Sequence, residues 1–223
     1  MTDLTPETID SRHDGFSLSA VRARPRGKAK GGVVVIQEIF GVTDHIKEMC
    51  GLFADAGYEA LALSMFDRVE RDFHAETNPD GFAKGLSAVR ASSWDQVAGD
   101  LQAAIDALPK PCFITGFCWG GAAAWLGAVR CTGLSAASCF YGRMIADLLD
   151  DKPKVPVMLH YGARDAGIPE DNRAKVATAV PEAPLYLYDA GHGFCRRGSH
   201  DYDEAACALA MQRTLEWFER YST

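Results

Sequence analysis

The sequence predicts an α/β fold: one domain over residues 1–223, with a mostly parallel central sheet and helices on both faces. Three observations predict it. Short β-branched runs alternate with helical patterns along the whole chain. The run Val33-Val34-Val35-Ile36 is apolar at every position, so both faces of that strand must be covered. Strands separated by helical stretches imply right-handed crossovers between parallel neighbours.

Each element has its own warrant. Residues 16–23 alternate weakly and read as a strand, closed by the turn Arg24-Pro25-Arg26-Gly27. Residues 33–37 form a buried strand. Ile46, Met49, Cys50 and Phe53 recur at i, i+3, i+4 and i+7, one face of a helix. Thr43 or Asp44 is its N-cap and Gly57 its terminator. Residues 58–63 are a second core strand. Residues 79–108 read as mostly helical, ending before Pro109 and Pro111. Residues 112–115 are a strand and 120–129 an Ala-rich helix. Strands follow at 136–141, 155–161 and 185–188. Ala208, Met211, Leu215 and Phe218 stripe a last helix.

Composition narrows the function. Apolar residues make up 48 % and charged residues 24 %, which is globular. Lys plus Arg number 23 against 30 Asp plus Glu, a formal charge of −7, which disfavours a nucleic-acid partner. No apolar run is long enough for a membrane span, and the polar, acidic start does not read as a signal peptide, so the expected location is cytoplasmic. Seven cysteines without regular spacing are expected to be thiols, not a disulfide framework. The six histidines show no metal-ligand spacing, so no metal and no cofactor is expected. The chain is expected to be a monomer or small homo-oligomer.

In open α/β sheets ligands bind beyond the carboxyl ends of the strands. The polar residues just after predicted strands are Gln37-Glu38, Cys118, Arg143, Asp165 and His192. Gly116-Phe117-Cys118-Trp119-Gly120-Gly121 has the form of a nucleophile elbow with Cys in place of Ser. Taken alone, Cys118 equally suits a small buried thiol at a tight turn, Asp165 a turn residue and His192 a loop histidine. Together, their chain order is nucleophile, acid, histidine, which is that of the α/β-hydrolase fold. Cys118 would attack a carbonyl carbon, His192 manage the proton and Asp165 hold its tautomer. The backbone N–H groups of Trp119 and Ile39 are the candidate oxyanion donors. Glu38 is either a loop carboxylate paired to a cation or a carboxylate beside the thiol that holds it protonated.

These residues resemble the dienelactone hydrolase family, the carboxymethylenebutenolidase-like α/β-hydrolases. The matching segments are Gln37-Glu38-Ile39-Phe40-Gly41, the Cys118 elbow, Tyr141-Gly142, the Gly162…Asp165…Ile168-Pro169 loop and Gly191-His192-Gly193-Phe194. The resemblance implies opening of a cyclic enol ester, dienelactone, to maleylacetate through a thioester on Cys118. It implies that Glu38 keeps the thiol quiet and takes its proton when substrate binds. It also implies that Arg196 holds a substrate carboxylate. The family's second arginine has no match: on the segment after residue 79 the chain carries Phe82, with Lys84 and Arg90 nearby. The expected partner is therefore a small lactone or ester, carboxylated or neutral. A carboxylesterase or thioesterase of other specificity stays open, as does a non-catalytic homologue that only binds ligand. A class I glutaminase would need Glu two residues after its histidine, where Phe194 stands.

Overall fold

The computed structural model describes residues 3–222. Eight strands form one sheet in the order β1-β2-β4-β3-β5-β6-β7-β8. The strands are β1 (Leu4–Asp10), β2 (Ser17–Ala23), β3 (Gly32–Ile36), β4 (Glu59–Leu63), β5 (Cys112–Phe117), β6 (Ala136–Phe140), β7 (Val157–Gly162) and β8 (Leu185–Tyr188). Strands β3 to β8 are parallel; β1 and β2 form an antiparallel pair at one edge, with β2 antiparallel to β4. The helices are α1 (Asp44–Asp55), α2 (Pro79–Ala91), α3 (Trp94–Asp106), α4 (Trp119–Arg130), α5 (Glu170–Ala179) and α6 (Glu204–Arg220).

The pleat of β5 separates the two helical layers. Phe113 stacks on Phe218 of α6 at 4.5 Å, and Phe218 also meets Phe53 of α1. The next residue, Ile114, points to the opposite face, where it and Leu101 of α3 abut Gly127 of α4. The central strands are buried on both faces, as the unbroken apolar run at Val33–Ile36 requires.

Three features depart from the sequence reading. The predicted helical stretch 79–108 is two helices, broken at Ser92-Ser93, where Ser93 and Gln96 form a capping box at the start of α3. Strand β1 and helix α5 are additions. Cys195 and Cys207 form a disulfide, which corrects the expectation that all the cysteines are thiols. It joins the loop after β8 to α6, so it belongs to the scaffold beneath the site. Cys50, Cys112, Cys131 and Cys139 are buried thiols, and Cys118 is the partly exposed one. Among the described residues no helix is long and apolar enough to cross a membrane.

Candidate active site

Cys118 sits between β5 and α4 with φ 57° and ψ −116°, a left-handed conformation for a residue with a Cβ. Such a backbone costs on the order of 1–3 kcal/mol and persists only where its surroundings hold it. Here they do. The Cys118 N–H donates to the Phe140 carbonyl at 3.1 Å. A Cβ at Gly116 would run into the Gly120 carbonyl, and one at Gly120 into the carbonyls of Ile36 and Gln37. The two glycines thus let β5, α4 and the loop after β3 meet, with the thiol at their junction.

Asp165 follows β7. Its side chain is fully buried; Oδ1 accepts from the Gly167 N–H at 2.8 Å and Oδ2 meets His192 Nδ1 at 2.6 Å. Asp165 thus occupies Nδ1, so Nε2 is the nitrogen left for the thiol; Cys118 and His192 line the same cavity, and Cys118 acts electrostatically on the ring. Burial opposes a charge on His192, but Cys118 and Asp165 outweigh it and raise its pKa. The sign follows. The His192 contribution to folding is complete below pH 6.5 and is lost as pH climbs toward about 11. Thermal unfolding of wild type should therefore fall across that alkaline range, and Asp165→Asn should flatten the decline. Equal slopes for the two proteins would contradict the coupling.

Glu38 is fully buried at the end of β3. Its Oε2 accepts from the Arg196 guanidinium at 2.9 Å, and its Oε1 has no partner among the described residues. Arg196 also lies over the Phe40 ring, 5.0 Å from its centre. Two residues that sequence reasoning did not assign to the site complete this layer. Tyr141, fully buried with φ 37°, meets the His192 ring edge-on at 5.2 Å. Burial first, then the charge of Glu38, push its hydroxyl pKa upward. His45, 6 % exposed, packs on Phe117, and burial pushes its pKa down. The sequence signals for Tyr141 were its position at a strand end and the Tyr141-Gly142 segment of the family resemblance. For His45 there was none, because it falls on the apolar face of α1.

Above the thiol lies a cavity of about 740 Å³. Cys118, His192 and Asp165 line it, as do Ile39 and Trp119. Among the described residues the backbone N–H groups of Ile39 and Trp119 donate to no protein acceptor. Helix α2 forms one wall with Phe82, Leu86 and Val89; a Cβ at Gly85 would strike the Ile39 carbonyl, so glycine there lets α2 lie against that loop. Arg143 and Met144 stand on another side. Arg196 is not on the wall, because Glu38 holds it below. Lys84 is turned away, bonded to Glu70 and the His74 carbonyl.

Four matches to known proteins bear on this arrangement. The model of the dienelactone hydrolase family matches residues 18–222. A protein named "Putative carboxymethylenebutenolidase" from Salmonella typhimurium is 34% identical over 238 residues, covering 93% of this chain and 84% of that protein. Carboxymethylenebutenolidase 1 of Cupriavidus pinatubonensis is 30% identical, with 93% of each chain covered. A crystal structure titled as a putative dienelactone hydrolase from Klebsiella pneumoniae superposes with a TM-score of 0.83 at 30% identity, over 98% of this chain and 100% of that one. Matched along nearly its whole length in sequence and in fold, the chain belongs to the dienelactone hydrolase family, hydrolases acting on carboxylic ester bonds.

Proposed function

We propose that this protein opens a small lactone or enol ester, of the dienelactone-to-maleylacetate type, through a thioester on Cys118. The observation that carries the reading is the set Cys118, His192 and Asp165 on one cavity: a thiol at a left-handed elbow, an imidazole lining the same cavity, and a buried carboxylate on its Nδ1. The thiol proton is held on His192, whose raised pKa favours the charged ring, while the sulfur bonds to the carbonyl carbon. The carbonyl oxygen, now negative, is held by the N–H groups of Ile39 and Trp119. When the ring C–O bond breaks, the enolate leaves and takes the proton from His192. Water, deprotonated by the same imidazole, adds to the thioester. Collapse of that intermediate releases the acid and restores Cys118. Asp165 holds the tautomer and stabilises the imidazolium.

Glu38 carries a second reading of the first proton transfer. Its Oε1 is buried and unpartnered, which favours it as the acceptor of the thiol proton once substrate disturbs the Arg196 pair. Glu38→Gln separates the two. If Glu38 controls the thiol, the pH profile of Cys118 alkylation shifts in this variant; an unchanged profile assigns the proton to His192 alone.

The reaction itself is tested by the ultraviolet decay of a dienelactone, with Cys118→Ala as blank. Rapid Cys118-dependent loss supports the lactonase reading. Cleavage of a simple aryl ester without loss of the dienelactone would instead favour a carboxylesterase or thioesterase of different specificity.

A further inference from the structure

The charges around the cavity are unevenly committed. Asp165 is bound to His192 and the Gly167 N–H. Arg196 is committed to the buried Glu38 and lies off the wall. Arg143 is different: it is exposed, lines the cavity, and is absent from the arginine ion pairs formed among the described residues.

Its backbone is nevertheless firmly held. Arg143 opens a short 3-10 turn, Arg143–Asp147, directly after β6 and Gly142. A Cβ at Gly142 would strike the Ala122 N and Gly121 C of α4, so glycine there brings the turn against the start of the nucleophile's own helix. From α5, Asn172 donates to the Arg143 carbonyl at 3.3 Å and Lys175 to the Ala146 carbonyl at 2.5 Å. A cation is thus presented to the cavity from a fixed base, with its guanidinium unspent. The α2 part of the same lining is apolar: Phe82, Leu86 and Val89 fall at i, i+4 and i+7 on α2, and Phe82 is 51% exposed. A half-bare aromatic on a cavity wall is surface that an apolar ligand group would cover.

We propose that Arg143 is the anion-binding residue of this pocket, so that its substrates are esters with an apolar body against Phe82 and Leu86 and a carboxylate on Arg143. The inference rests on the reading of Cys118 as the nucleophile. It moves the anionic anchor from Arg196, which is off the cavity wall, to the exposed Arg143 on it. An Arg–carboxylate contact of this kind contributes about 1.5–3 kcal/mol, or roughly ten- to hundredfold in binding.

A matched pair of substrates tests it: the para-nitrophenyl half-ester of glutarate and its neutral counterpart, para-nitrophenyl valerate. The expected result is that Arg143→Ala raises KM for the glutarate ester about ten- to hundredfold while kcat/KM for the valerate ester stays within about twofold. Arg143→Lys should recover part of the loss, and added salt should weaken only the glutarate ester. Equal losses on both esters, or a charge preference that survives Arg143→Ala and disappears in an Arg196→Met protein that still folds, would overturn the assignment. Cys118→Ala run in parallel separates the two layers: hydrolysis of both esters without the thiol would sink the nucleophile reading, whatever Arg143 does.

Discussion

Cys118→Ala should reduce ester hydrolysis by at least about 10⁴-fold, the scale seen when a nucleophile is removed from a triad of this type. The fold should be unaffected. The substitution keeps a Cβ at the left-handed elbow and keeps the N–H bond to the Phe140 carbonyl, and it removes only a partly exposed sulfur. The stability change should therefore be within about 1 kcal/mol. Hydrolysis rates and thermal unfolding on the same preparation check both halves. An inactive protein that melts as wild type supports the assignment; an active one removes it.

Arg196→Ala should be the most destabilising single change in the site. It strands the Glu38 carboxylate, which is fully buried, and removes an arginine whose side chain is 17% exposed. Breaking a buried ion pair from one side costs about 3–5 kcal/mol, because the remaining charge has no compensation. The double variant Glu38→Gln, Arg196→Met should regain most of that stability. It leaves no lone charge, and the methionine keeps an apolar stem over the Phe40 ring. Urea unfolding of the two proteins provides the comparison. A single variant as stable as wild type would mean that Glu38 is not left as an uncompensated buried charge.

Most of the sheet was legible in the sequence because its central strands are buried on both faces and carry apolar runs, unbroken over residues 33–36 in β3 and over residues 112–114 in β5. Strand β1 was not, because Leu4–Asp10 is an edge strand with Pro6 inside it and little buried surface. Helix α5 was missed for a related reason. Val176 is its one buried residue, so no periodic stripe exists, although Pro169 followed by Glu170 and Asp171 is a helix start that could have been read. The break at Ser92-Ser93 was also readable, since Ser93 and Gln96 stand at capping-box spacing.

The site divides along the same line. The structure brings Cys118, Asp165 and His192 to one cavity, and each follows a strand end, so chain order alone carries information about their meeting. Ile39 and Trp119 follow from neighbouring positions in the two loops that meet at the thiol. What could not be read was long-range pairing: Glu38 with Arg196 across 158 residues, Cys195 with Cys207, and the meeting of Phe82 and Arg143 on one cavity. Those depend on which loops the packing brings together, and no local pattern encodes them.

The central claim is a covalent thioester on Cys118, and its most direct test is intact-protein mass spectrometry after rapid acid quench of enzyme mixed with excess aryl ester or dienelactone. The account predicts a mass increase equal to one acyl group, mapped to the peptide containing Cys118, released by hydroxylamine and absent in Cys118→Ala. An acyl group on another residue, or an adduct that persists in Cys118→Ala, would contradict it.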